Sequence, residues 1–171
     1  MPRPRYRLTV ATNPSPSVVL TPLTGTARPL EEWLTTFHLA SVVLDPYTNE
    51  SAWILDTAAK VLRKFTGSSA RVNWVVTCGP DEARQFLGPL ASEFLTFCDP
   101  DRELVRSLGL NGLPAFVFVR IDGTVAASAE GWDPAAWKRV ADAVASTTSW
   151  SSVHLPGPGD PGAFQGTPAL A

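Results

Sequence analysis

Few side chains in this chain of 171 residues can carry covalent or acid–base chemistry: there are two cysteines and two histidines. Cys78 closes the apolar run Val72–Thr77, and Cys98 closes Phe94–Phe97. If those runs are neighbouring strands, both thiols lie near one sheet edge, where they could form a redox pair or a sensing thiol. A pair needs Cα atoms within about 7 Å. A reactive thiol needs a cationic neighbour that lowers its pKa. No such cation stands beside either cysteine in the sequence, and free cysteine usually behaves as a small buried hydrophobe. Burial is therefore the expected role of both. His38 and His154 fall in unrelated segments, with no spacing that suggests a metal site. No nucleophile-elbow motif accompanies them. Gly157-Pro158-Gly159-Asp160-Pro161-Gly162 matches a dinucleotide fingerprint in form only. It follows no strand and opens no helix, and its prolines remove amides that a phosphate would need. No cofactor and no metal are expected. The acidic residues Asp45 and Glu50 fit capping and helix-start roles better than acid–base work.

Composition narrows the partners. Net charge is −2, and hydrophobic residues make up 44% against 18% charged. A chain this balanced has no broad basic surface for nucleic acid or anionic membrane. No run approaches the roughly 20 apolar residues of a membrane helix. The basic start Met1-Pro2-Arg3-Pro4-Arg5 is followed by no apolar core of signal-peptide length, so the cytoplasm is the expected location.

The elements that must position these residues follow from periodicity. Residues 1–27 read as an irregular lead-in with short edge strands at Arg7–Thr12 and Val18–Leu20, limited by prolines 14, 16 and 22. The folded domain spans 28–150. It predicts a helix over Pro29–Phe37, a strand over Leu39–Leu44, and a helix over Ser51–Phe65 whose apolar residues recur every three or four positions. A strand over Val72–Thr77, a helix over Pro80–Leu87, the strand Phe94–Phe97 and a helix over Asp101–Leu108 come next. Ala115–Ile121 and Thr124–Ala129, joined by Asp122-Gly123, read as an antiparallel hairpin, and Pro134–Ala145 is the last helix. The corners Asp45-Pro46, Gly79-Pro80, Asp99-Pro100 and Asp133-Pro134 each pair an N-cap residue or glycine with a proline suited to the first helical turn. This rhythm indicates an α/β fold with a mainly parallel sheet and helices on both faces. Residues 151–171 are a Pro/Gly-rich tail, either extended over the surface with Phe164 as an anchor or disordered.

Three stretches carry a resemblance. Asn111-Gly112-Leu113-Pro114-Ala115-Phe116-Val117-Phe118-Val119 with Asp122-Gly123 resembles the cis-proline loop and hairpin of thioredoxin-like proteins. Asp99–Leu104 leading to Gly109-Leu110, and Gly79–Arg84, resemble the TlpA and AhpC/TSA (redoxin) branch. The similarity runs from about residue 28 to 147. It implies a thioredoxin-like fold: a central mixed sheet flanked by helices, with a cis-proline loop before a C-terminal β-hairpin and helix, and a cis bond at Leu113–Pro114.

The same resemblance places the family's thiolate after the first core strand, at the start of the next helix, as Cys-x-x-Cys or a single peroxidatic Cys. The matching positions are Thr48 and Ser51 in Tyr47-Thr48-Asn49-Glu50-Ser51, and no cysteine occurs between Met1 and Thr77. A hydroxyl forms no disulfide, and its pKa lies far above a thiol's. Electron transfer by the family's route is therefore missing at this position. The expected function is a redox-inactive binding or protein-interaction module, whose partner is a protein or an extended peptide. Its expected surface is formed by Tyr47, Thr48, Asn49, Ser51, Leu113, Pro114 and Trp132. The backbone before the cis-proline, where relatives pair with an extended substrate, needs no cysteine for such pairing. Thr48 and Ser51 also suit plain capping. Trp53, Trp74 and Trp137 fit core or half-buried positions, and an exposed Trp132 would mark a contact surface. The alternative is a thiol-disulfide oxidoreductase or peroxidase-like enzyme working through a relocated Cys78 or Cys98.

Overall fold

The mainly apolar run at residues 38–44 and its counterparts form the centre of a mixed sheet, because strands covered on both faces are nearly continuous hydrophobic runs. The computed structural model describes residues 11–170. In chain order its elements are β1 (Val19–Pro22), β2 (Arg28–Pro29), α1 (Leu30–Trp33), β3 (His38–Leu44), α2 (Asn49–Trp53), α3 (Leu55–Lys64), β4 (Ala70–Val76), α4 (Pro80–Leu87), α5 (Leu90–Glu93), β5 (Leu95–Cys98), α6 (Glu103–Ser107), β6 (Gly112–Leu113), β7 (Ala115–Val119), β8 (Val125–Glu130), α7 (Pro134–Thr148) and β9 (Thr167–Pro168).

The main sheet has seven strands in the order β2-β1-β5-β4-β3-β7-β8. Strands β3, β4 and β5 are parallel, while β7 is antiparallel to β3 and β8 to β7. The period-two alternation of strand side chains divides the core. Ala40, Val42, Leu44, Trp74, Val76, Phe116 and Phe118 join the cluster that α3 and α7 cover. Leu39, Val43, Val75, Ala115, Val117 and Val119 join the cluster that α1 and α6 cover. Two polar residues in this sheet, Ser41 and Asn73, are buried and hydrogen-bond each other at 3.0 Å, which offsets their desolvation.

Several boundaries differ from expectation for local reasons. The helix expected over Ser51–Phe65 is interrupted at Ile54, where ψ relaxes to −8°, giving α2 and α3. The break leaves Ile54 fully buried and turns Trp53 outward, 56% exposed, instead of into the core. The helix expected over Pro29–Phe37 keeps one turn. Of the two edge strands expected in the lead-in, Val18–Leu20 becomes β1, which pairs with β2 and β5. Of that other expected strand, residues 7–10 lie outside the described residues, and Ala11 and Thr12 are not in a strand. The proline corners also diverge. Asp133 caps α7, accepting from the Ala135 and Ala136 amides, and Gly79-Pro80 opens α4. Asp99 accepts from Leu104 and Val105 across an intervening turn. No helix starts at Asp45-Pro46; the chain turns there until Asn49.

Candidate functional site

The loop after β3 is closed on itself. Ser51 is fully buried, and its Oγ accepts from the Asp45 amide at 2.9 Å. Thr48 stands at the N-cap position of α2, yet its hydroxyl donates to the Asp45 carbonyl at 2.9 Å and makes no helix cap. Neither expected capping role is realised: both hydroxyls tie the loop to the end of β3. The Asp45 carboxylate accepts from the Tyr47 amide at 3.0 Å and pairs with Arg102 at 3.1 Å. Asn49 is exposed, as are the aromatic rings of Tyr47 and Trp53, 68% and 56% exposed. The Tyr47 hydroxyl donates to Glu82 of α4. The hydroxyls of Thr48 and Ser51 are therefore spent within the segment, which turns two large rings outward.

The second part of the site is the loop from Asn111 to Pro114. The Leu113–Pro114 peptide is cis. Leu113 is fully buried, and its backbone edge is covered by the tail. In β6 and β9, Gly112 faces Pro168 and Leu113 faces Thr167, antiparallel. The Thr167 hydroxyl donates to the Leu113 carbonyl at 3.2 Å, and the Ala169 amide to the Asn111 carbonyl at 2.9 Å. Upstream, Trp132 and Phe164 exchange backbone hydrogen bonds at 2.9 and 3.0 Å. Phe164 stands edge-on to Trp53, with ring centroids 5.5 Å apart. The tail runs extended over the domain surface, with Phe164 as an anchor.

Trp132, expected at the surface for a contact role, is instead fully buried. Its indole packs edge-on against Trp137 at 5.3 Å and donates to the Pro161 carbonyl at 2.8 Å, so the tail covers it.

Two charged residues hold these parts together. Arg102 bridges the loop after β3 and the tail: one guanidinium nitrogen pairs with Asp45 and another donates to the Ala169 carbonyl at 2.5 Å. Arg102 adopts φ +56°, the left-handed region that a side chain occupies only when its contacts compensate. Glu130 lies beneath the cis-proline loop. Its Oε1 accepts from the Asn111 and Gly112 amides at 3.1 and 2.7 Å. Its Oε2 is buried without a hydrogen-bond partner among the described residues. Burial pushes this carboxyl above the usual glutamate range, and the two amides pull against the shift without cancelling it.

Both thiols are free and buried. Burial, with smaller contributions from Cys98, Glu82 and Asp45, pushes the Cys78 thiol up to about 12. Burial raises Cys98 as well, and Arg84, a cation that the sequence did not place there, lowers it too little to compensate. Thiols held protonated are poor nucleophiles. His38, at the start of β3, accepts from the Ile121 amide through Nδ1, a structural contact.

The fold thus ties the loop after β3 to the tail through Arg102 and ties Leu113 to the same tail through β9, and removes Trp132 from the surface. Sequence reasoning missed Arg102, Glu130 and the tail residues beyond Phe164. Glu130 carried one signal: a lone carboxylate directly before Gly131-Trp132 at the end of a hairpin strand.

No protein-family model matches the chain, and no curated protein matches it in sequence. Solved structures do match in fold. A structure described as a thiol:disulfide interchange protein DsbE from Chlorobium tepidum is similar at 18% identity, over 81% of this chain and 97% of that one, with a TM-score of 0.66. A structure described as MTB dsbF is similar at 16% identity, over 75% and 96%, with a TM-score of 0.62. Peroxiredoxin Q of Xanthomonas campestris is similar at 14% identity, over 82% and 98%, with a TM-score of 0.62. Among the described residues no helix is long and apolar enough to cross a membrane. The chain has the thioredoxin-like fold, a curled mixed sheet flanked by helices, in the form shared by DsbE-type thiol:disulfide interchange proteins and peroxiredoxin Q.

Proposed function

We propose that this chain is a redox-inactive thioredoxin-like protein that acts as a protein- or peptide-binding module. The observation that carries the reading is the loop after β3. Where the resemblance implies a nucleophilic sulfur, Thr48 and Ser51 stand with their hydroxyls committed to Asp45, and the large apolar groups that the segment exposes are the rings of Tyr47 and Trp53. Large exposed rings of this kind are enriched at protein contacts and depleted at ordinary surfaces. The burial of Cys78 and Cys98, which pushes both thiols up, supports the same reading over a relocated thiol.

Two measurements on the purified chain test it. Insulin reduction and peroxide consumption are expected at background. A partner cross-linked to the chain in its host extract is expected to be lost from the Tyr47→Ala, Trp53→Ala double variant, with the melting temperature kept. Catalytic turnover that disappears in Cys78→Ser or Cys98→Ser would refute the reading.

A further inference from the structure

The tail meets the cis-proline loop in the manner of a bound peptide. It adds a strand to a two-residue edge outside the main sheet, and its main-chain and small polar contacts are those of strand addition. Along the segment the engaged and exposed residues are sorted by position. Phe164 contacts Trp53, Gly166 crosses Gly131, Thr167 bonds Leu113, and Ala169 is 1% exposed, whereas Ala163, Gln165, Pro168 and Leu170 face solvent.

The crossing of the two glycines leaves little room for a side chain at either position. A Cβ on Gly166 would lie 3.1 Å from the Leu113 carbonyl oxygen and 3.2 Å from the amide nitrogens of Gly131 and Leu113. Those are backbone atoms, which cannot swing aside as a side chain could. Gly131 in turn has φ +67°, and a Cβ there would lie 2.7 Å from the Gly166 nitrogen. The end of the segment is read by charge-assisted bonding, through Arg102 on the Ala169 carbonyl.

We infer that the groove between Gly131, Leu113 and Arg102 is a reader of extended peptides of the pattern aromatic-x-Gly-Thr-x-Ala. The chain's own Phe164–Ala169 is the copy of that motif held in place, and a partner polypeptide carrying the motif is the ligand that replaces it. The inference rests on the reading of the chain as a peptide-binding module and names the peptide. A tethered segment competes at an effective concentration on the order of millimolar, so the intact chain takes a free peptide only weakly. Release of the segment is what opens the groove.

The test uses the full chain with a specific protease site inserted between Gly162 and Ala163, both exposed. After cleavage the body keeps Asp160, which is anchored by Lys60 and Thr57, each at 2.8 Å. The cut segment is then exchanged against a labelled synthetic peptide spanning residues 163–171, followed by anisotropy and by tryptophan fluorescence, to which Trp53 beside Phe164 contributes. The labelled peptide is expected to replace the cut segment, and the same peptide with Gly166→Ala to bind at least about tenfold more weakly, as overpacking against backbone demands. Three results overturn the inference: loss of near-ultraviolet circular dichroism on cleavage, which makes the segment a structural strand; departure of the segment without binding of the labelled peptide; and equal binding of the Gly166→Ala peptide. Cut chains that stay paired on size exclusion would also overturn it, by showing the segment exchanged between two copies. Insulin reduction by the same sample would refute the redox-inactive reading and leave a positive exchange result standing.

Discussion

Replacing Arg102 by alanine should unfasten the loop after β3 and the tail together. The guanidinium is 15% exposed and its partner carboxylate on Asp45 6% exposed, so solvent screens the pair little. Breaking a buried pair from one side costs about 3–5 kcal/mol, most of it the charge left without a partner. Asp45 keeps its bond from the Tyr47 amide, which lowers that figure, and the Ala169 carbonyl loses a donor worth about 1 kcal/mol. The net expectation is a loss of about 3 kcal/mol. For a domain of this size that is a fall of about 6–12 °C in melting temperature. Two companion variants separate the causes. Arg102→Gly removes the same contacts but relieves the left-handed backbone, and should be about 1 kcal/mol less damaging. Asp45→Asn added to Arg102→Ala removes the orphaned charge and should restore at least about 1 kcal/mol. Urea unfolding followed by tryptophan fluorescence gives the energies, and hydrogen exchange at the Ala169 amide reports release of the tail. A cost under about 0.5 kcal/mol with no rescue by Asp45→Asn would refute the argument that Arg102 fastens the site.

Further outcomes follow from the same geometry. Gly131→Ala meets backbone at 2.7 and 2.9 Å and should cost about 2–4 kcal/mol and speed exchange across residues 164–169. The control Gly123→Ala, at φ +86° with open space around it, should cost only about 1 kcal/mol, and equal effects of the two would contradict the close crossing. Glu130 has its carboxyl raised by burial, so the folded state binds its proton more tightly than the unfolded chain does, where the pKa is about 4.3. Its contribution to stability therefore falls as the pH rises out of the usual glutamate range. Glu130→Gln should flatten the melting temperature profile above the usual glutamate range relative to the parent; parallel profiles would sink the assignment. Asp160→Ala should weaken the tail's upstream anchor at Lys60 and Thr57, cost about 1–2 kcal/mol, and admit proteolysis near residue 160 ahead of global unfolding.

What the sequence made legible depends on how local the cause is. The two-faced burial of residues 39–44 and 115–119 shows as apolar runs, broken only by Ser41, and the Asp122-Gly123 turn fixes its hairpin from two residues. Asp133 caps its helix through side-chain contacts two and three residues away, which the Asp-Pro pair announces. That Thr48 and Ser51, and no cysteine, follow β3 was also legible, because it is a matter of residue identity alone. The rest of the site was not. The pairing of Gly112–Leu113 with Thr167–Pro168 joins residues 54 and 56 positions apart through two-residue strands, which leave no periodic trace. Arg102 reads as an ordinary surface charge until the fold brings Asp45 to one side and Ala169 to the other. Trp53 was misplaced because apolar periodicity runs continuously through Ile54, while the backbone changes phase there.

The account stands on the claim that no reactive sulfur serves this fold, and thiol titration of the native chain near pH 7 tests it most directly. Cys78 and Cys98 should react with an aromatic disulfide only as fast as the chain opens, and both should react at once in denaturant. A native thiol that reacts faster than free cysteine would contradict the account.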